Sequence, residues 1–96
     1  MTIYELLQAN RERILQTAAK YGAYNIRILG SAARGEADAS SDVDFLVEME
    51  PGRSLFDLGG LLMDLQELLN CKVNILTEKG LRERIRERVL REAISL

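Results

Sequence analysis

Two apolar segments joined by a short polar stretch constrain the fold of this chain more than any other feature of its sequence. Residues 25–30 alternate in polarity and include β-branched side chains, which predicts a strand that ends at Gly30. Residues 36–41 are small and polar, as is typical of a loop, and residues 42–47 alternate again, which predicts a second strand. Because the connection is short, we expect an antiparallel pair, with the end of the first strand beside the start of the second.

Helical patterns precede and separate these strands. Thr2 and Glu5 have the spacing of a capping box, which predicts a first helix whose apolar positions continue to Ala19, with Gly22 as its C-terminal cap. Residues 32–34 can form a short helical turn with open amide groups at its start. The sequence therefore predicts one helix before the first strand and a helical turn after it.

A turn and a leucine-rich helix follow the second strand. Pro51-Gly52 is typical of a turn, and Ser54, aided by Asp57, predicts the start of the helix. Gly59-Gly60 interrupts this helix, and close approach of another backbone or a simple kink explains the pair equally well.

The last part of the chain predicts a third strand at residues 71–77 and a final helix. Thr77 is expected to cap this helix, whose apolar positions are Leu81, Ile85, Val89 and Ile94. Its arginines alternate with glutamates, which favours a solvated face with pairs such as Glu78–Arg82 and Glu87–Arg91. A role for one or two arginines in docking a partner or facing phosphate is the alternative.

This order of elements predicts an α/β (α+β) fold, α-β-α-β-α-β-α, with a small mixed three-stranded sheet. A helix joins the second and third strands, so these two strands should be parallel with a right-handed crossover. With 96 residues the chain is expected to form one domain, residues 1–96.

Composition excludes several functional classes. The absence of histidine removes Ser-His and Cys-His nucleophile pairs and imidazole-bound zinc. The net charge of -2 argues against a nucleic-acid partner. The single cysteine, Cys71, cannot form an internal disulfide and is expected to be reduced. No apolar run approaches the length of a membrane helix, so we expect a cytoplasmic protein without a membrane partner.

The polar residues at the two strand ends suggest a site for phosphate and metal. Gly30 permits close backbone approach to a phosphate, the hydroxyl of Ser31 can donate to an oxygen, and a helical N-terminus adds partial positive charge. Asp42 and Asp44 lie two positions apart, so both can direct oxygens at one divalent cation such as Mg²⁺. For Asp42 a purely structural role in a turn or strand cap remains an equal alternative.

These residues carry a family resemblance. Gly30-Ser31, ten intervening residues and Asp42-Val43-Asp44 resemble the Gly-Ser-x10-Asp-x-Asp signature of the DNA polymerase β-like nucleotidyltransferase superfamily. The segment Ser-Ala-Ala-Arg-Gly-Glu-Ala and the helix with Phe-Asp-Leu resemble its minimal nucleotidyltransferase (MNT) branch, and the resemblance extends over residues 26–96. The resemblance implies that Gly30 and Ser31 hold a nucleoside triphosphate, that Asp42 and Asp44 are catalytic and bind Mg²⁺, and that Arg34 positions the site or contacts phosphate.

The same resemblance implies a function. MNT proteins transfer a nucleoside monophosphate to a hydroxyl, and many act as antitoxins of a HEPN-domain toxin, some by adenylylation (AMPylation) with ATP. A shallow site on a small domain suits a protein acceptor, while a small hydroxylated molecule is a further alternative.

One departure from the family pattern concerns the third strand. The family usually carries a third carboxylate where this chain has Asn74, which is expected beside Asp44. An amide is a neutral oxygen ligand and cannot act as a base. The sequence therefore leaves a second interpretation open, in which a weakened transferase neutralises its partner by binding alone.

Overall fold

The computed structural model describes residues 2–30 and 42–96 of the chain. The described helices and strands are, in chain order, α1 (Ile3–Ala9), α2 (Arg11–Lys20), β1 (Ala23–Leu29), β2 (Val43–Met49), α3 (Leu55–Leu69), β3 (Val73–Thr77), α4 (Glu83–Glu92) and β4 (Ile94–Ser95). The strands form one mixed sheet with the order β3-β2-β1-β4. The predicted α/β class is confirmed, and the sheet contains one strand more than the sequence predicted.

The strand pairings that matter for the site follow the predicted directions. β1 pairs antiparallel with β2, and β2 pairs parallel with β3. Leu29 lies opposite Asp44 in the first pair, and Asp44 lies opposite Asn74 in the second. The end of β1 and the starts of β2 and β3 therefore meet at one edge of the sheet.

Alternate residues of β2 pack one face of the sheet against the helices, and Leu46 on the other face is buried as well. Val43, Phe45 and Val47 are at most 1% exposed and pack in the core with Leu61 and Leu65 of α3. Burying one such large apolar side chain stabilises the fold by about 1.5–3 kcal/mol. This packing fixes the register of β2, and so it fixes which residues of β2 point away from the helices.

Two helix starts match their predicted caps, but the first helix is interrupted. Thr2 and Glu5 form the capping box of α1, and Ser54 and Asp57 form that of α3. The continuous first helix was a wrong prediction, because Asn10 ends α1 with its side-chain amide donating to the Leu6 carbonyl at 2.9 Å. Asparagine competes for backbone hydrogen bonds in this way and favours helix ends over helix interiors.

The C-terminal region differs most from the prediction. Thr77 does not cap the last helix; its hydroxyl accepts from the Gly80 amide at 3.1 Å, within a turn. Helix α4 begins six residues later, at Glu83. Glu78 pairs with Arg27 and Arg86 rather than with Arg82, whereas the predicted Glu87–Arg91 pair is present at 3.2 Å.

Ile94 was predicted as the end of the last helix, and this prediction was wrong. The backbone turns extended at Ala93 (φ -68°, ψ 139°), and Ile94 then pairs with Ile28 of β1 in the short strand β4. The amide of Leu96 donates to the Ile26 carbonyl at 3.0 Å, and its side chain is buried in the core. Burial of this last side chain outweighs continuation of the helix.

The glycine pair in α3 has two different environments. A Cβ at Gly60 would lie 2.5 Å from Cε1 of Tyr21, whereas a Cβ at Gly59 would meet nothing within 4 Å. Close approach of a neighbouring element therefore explains Gly60. No helix in residues 2–30 and 42–96 has both the length and the apolar composition that crossing a membrane requires.

Candidate active site

Gly30 and Asp44 face each other at the edge of the sheet where β1 ends. Gly30 has φ +64°, a left-handed conformation that glycine adopts without the penalty a Cβ imposes. A Cβ at Gly30 would stand 3.7 Å from Oδ2 of Asp44. The glycine thus provides the backbone turn and places no side chain of its own beside this carboxylate oxygen.

Asp42 and Asp44 lie at the start of β2. Asp42 is exposed and immediately precedes the strand, and Asp44 is partly buried within it. The amide of Val43, between them, donates to the Lys72 carbonyl at 2.9 Å, which anchors this point of the chain to the segment before β3. Asp44 lies on the face of β2 opposite to Val43 and Phe45, which pack in the core, and Asp42, two positions earlier, is expected on the same side.

Asn74 contacts Asp44 directly. Its amide Nδ2 donates to Oδ1 of Asp44 at 2.9 Å, between residues that the parallel register places opposite each other. An ionised carboxylate has no hydrogen to donate, so the Asn74 amide is the donor in this bond. Asn74 therefore lies beside Asp44 as expected, and it contacts the carboxylate through its N–H group and not through its carbonyl oxygen.

The other predicted site residues lie outside the described part of the chain. Ser31 and Arg34 fall in residues 31–41, so their roles toward phosphate stay predictions. Among the described residues, no three His, Cys, Asp or Glu side chains form a group that could hold a metal ion. Any metal held by described side chains at this edge would rely on the two aspartates.

Cys71 lies close to this edge but is poorly suited to act as a nucleophile or a metal ligand. Burial raises the pKa of its thiol, and the negative charge of Asp42 raises that pKa further. The thiol therefore stays protonated at neutral pH, and a protonated thiol is neither a good nucleophile nor a good metal ligand.

A cleft at the opposite end of β2 and β3 was not predicted. Its volume is about 690 Å³, and its lining includes Glu48, Thr77, Lys79 and Arg86. None of the described site residues lines this cleft. The Pro51-Gly52 turn and the arginine-rich last helix were visible in the sequence, but the long-range packing that joins them was not.

Comparison with known proteins assigns the class. Residues 9–96 match the family model of the nucleotidyltransferase domain, so the chain belongs to this family of nucleotide-transferring enzymes. A solved structure described provisionally as a minimal nucleotidyltransferase is 49% identical, with a TM-score of 0.89, and the match covers 100% of this chain and 97% of that one. Within the family, the chain is thus a minimal nucleotidyltransferase.

Two curated relatives and one further structure extend the comparison. A Methanocaldococcus jannaschii protein, named provisionally as a protein adenylyltransferase, is 36% identical over 90% of this chain and 92% of its own length. Protein adenylyltransferase MntA of Thermococcus cleftensis is 34% identical over 96% of this chain and 90% of its own length. A crystal structure of a toxin-antitoxin with AMP-PNP shares the fold, with a TM-score of 0.76 at 17% identity, over 90% of this chain and 71% of that one.

Proposed function

We propose that this chain is a Mg²⁺-dependent protein adenylyltransferase that transfers AMP from ATP to a hydroxyl group of a HEPN-type toxin and so acts as its antitoxin. Residues 1–96 would serve as one catalytic domain in the cytoplasm. Two relatives with protein adenylyltransferase in their names support the reaction class. The toxin-antitoxin structure with the same fold supports the biological role.

The observation that carries the proposal is the position of Oδ2 of Asp44 beside Gly30. Oδ2 faces the space that Gly30 leaves open, since a Cβ there would stand 3.7 Å away. Together with the exposed carboxylate of Asp42, it offers the hard oxygen ligands that Mg²⁺ prefers. In this proposal Asp42 and Asp44 hold Mg²⁺, while Gly30, Ser31 and Arg34 bind the triphosphate. The bound ion would supply neutralisation of the phosphate charge.

The proposed reaction exchanges one phosphorus–oxygen bond for another. The acceptor oxygen forms a bond to the α-phosphorus of ATP, and the bond from that phosphorus to the bridging oxygen breaks. Pyrophosphate leaves with the electron pair, and the proton of the acceptor hydroxyl passes to solvent. The residues at the sheet edge would contribute by holding the triphosphate in line with the acceptor, which lowers the entropic part of the barrier.

Transfer of label tests the proposal. The chain is incubated with Mg²⁺, ATP labelled at the α-phosphate and a co-encoded HEPN-domain protein, and label on that protein is measured. We expect transfer by the wild type, and a loss of more than about 100-fold in the Asp42→Asn, Asp44→Asn double variant because charge stabilisation is removed. Glu48→Gln removes a charge from the same strand at the distant cleft and should leave transfer unchanged. No transfer by the wild type would refute the proposal.

A second candidate is neutralisation of the toxin by binding alone. The observation that favours it is the Asn74 amide, which donates to Oδ1 of Asp44. At this position the family usually has a carboxylate that would provide a further metal ligand. Rescue of growth by the double aspartate variant, at wild-type level and without label transfer, would favour this candidate over the enzyme.

A further inference from the structure

The hydrogen bond from Asn74 makes the two carboxylate oxygens of Asp44 different in their surroundings. Oδ1 accepts the Asn74 amide at 2.9 Å, and Oδ2 is the atom nearest to the space beside Gly30. We propose that Asn74 is a positioning residue that limits this site to a single divalent cation per chain, on the Gly30 side of Asp44. This inference rests on the proposed function, because it concerns the same two aspartates.

The first argument is the direction of the donor. An amide N–H places a partial positive charge against Oδ1, on the side of Asp44 that faces β3. A cation approaching Oδ1 would have to displace this bond and would meet the positive end of the amide dipole. Within residues 2–30 and 42–96, no hydrogen bond to Oδ2 is present, and glycine at position 30 places no side chain beside it.

The second argument is the charge available. Apart from the triphosphate, whose charge is the same whichever residue stands at position 74, Asp42 and Asp44 provide two negative charges. Two-metal sites hold their ions about 3.5–4 Å apart, where two doubly charged ions repel strongly unless further carboxylates compensate. Among the described residues, no group of three possible His, Cys, Asp or Glu ligands exists. The neutral amide at the position opposite Asp44 adds no charge, so the donor set suits one ion.

The third argument is geometric restraint. The hydrogen bond from β3 restricts rotation of the Asp44 side chain about χ1 and χ2, and restricting a ligand before the ion binds raises the affinity of the site. The bond from Asn74 supplies this restriction from a neighbouring strand whose register is set by five paired positions, Val43↔Val73 to Val47↔Thr77. Asn74 thus acts through Asp44 and does not itself need to touch the nucleotide.

Binding of Mn²⁺, used in place of Mg²⁺, tests the proposal without any transfer reaction. The full chain is titrated with Mn²⁺ in the presence of a non-hydrolysable ATP analogue, and free Mn²⁺ is measured by electron paramagnetic resonance. We expect one Mn²⁺ per wild-type chain in addition to any that the analogue binds alone. Asn74→Asp should bind two, and Asn74→Ala should bind one with about 10-fold lower affinity.

Two controls show whether an effect comes from the residue at position 74 itself, from added charge or from loss of folding. Gln8→Glu adds the same charge on the exposed face of α1 and should keep the wild-type stoichiometry. Asn74 is exposed, and circular dichroism before and after adding Mn²⁺ shows whether its variants fold. In the absence of metal, Asn74→Asp should melt at a lower temperature than wild type, because two carboxylates then face each other, and Mn²⁺ should raise its Tm more than that of wild type.

The outcomes distinguish this inference from the function on which it rests. Two ions on the wild type, or one ion on Asn74→Asp, would overturn the inference. One ion on the wild type and two on Asn74→Asp would support it even if label transfer failed. Absence of any Mn²⁺ on the wild type would overturn both the inference and the proposed metal dependence.

Discussion

Replacing Gly30 with alanine tests the proposed metal site beside Asp44. Gly30 has φ +64°, and an alanine in the left-handed region costs about 1–2 kcal/mol. The reduced entropy of the unfolded alanine chain offsets about 0.4–1 kcal/mol of this, so we expect a net loss of stability of about 1 kcal/mol. The new methyl group would also stand 3.7 Å from Oδ2 of Asp44.

The methyl group should weaken metal binding by more than its effect on stability. A Mg²⁺ ion lies about 2.1 Å from its oxygen ligands and keeps several waters, and a methyl group in contact with Oδ2 takes the space of one of them. Loss of one such interaction is worth about 1.4 kcal/mol, or a tenfold increase in Kd. Isothermal titration with Mn²⁺ measures this change, and urea denaturation measures the loss of stability.

Gly52→Ala is the matched control for backbone strain. Gly52 also has a positive φ of +87°, but a Cβ there would meet nothing within 4 Å. It should lose a similar amount of stability and bind Mn²⁺ as the wild type does. Equal Mn²⁺ affinities of Gly30→Ala and wild type would refute the assignment of the open space at Gly30 to a metal.

Three further predictions concern packing, charge and reactivity. Gly60→Ala should destabilise the protein by about 1–3 kcal/mol in urea denaturation, because its Cβ would lie 2.5 Å from the Tyr21 ring. Glu78→Gln should cost about 2 kcal/mol, since the Arg27 side chain is only 11% exposed and loses its carboxylate partner. Cys71 should react with iodoacetamide at pH 8 more slowly than it does in the unfolded chain, because its raised pKa lowers the thiolate fraction.

Each of these predictions has a control within the chain. Gly59→Ala has open space for its Cβ and should stabilise the protein by about 0.5–1 kcal/mol; destabilisation equal to that of the Gly60 variant would contradict the packing argument. Glu87→Gln breaks an exposed pair with Arg91 and should cost less than about 0.5 kcal/mol. Asp42→Asn should lower the pKa of Cys71 only in part, because burial is the larger cause.

Sequence patterns predicted the part of the fold that depends on local periodicity. The β1–β2 pair and the β2–β3 crossover follow from strand length, loop length and handedness. The position of Asn74 beside Asp44 was implied by the family resemblance, and the β2–β3 register confirms it. The caps at Thr2 and Ser54 are local hydrogen-bonding patterns, and they were also predicted correctly.

The missed features depend on contacts between distant residues. β4 consists of two residues, Ile94 and Ser95, and a helical continuation fits so short a segment equally well. Its strand conformation depends on pairing with β1 and on burial of Leu96. Likewise, Glu78 has an i,i+4 partner available in the sequence, but the contact with Arg27 is set by the sheet. For Ser31 and Arg34, the roles toward phosphate stay predictions.

The position of β4 at the edge of the sheet has a consequence for the order of folding. The Arg11 side chain donates to the Leu96 carbonyl across 85 positions of the chain, so this contact closes a very long loop, whereas β1 and β2 are joined by a short one. Long loops cost more entropy to close, and contacts of high sequence separation form late. We therefore expect the edge that carries Gly30, Asp44 and Asn74 to assemble first during refolding, and the C-terminal strand to dock onto a sheet in which this edge is already formed.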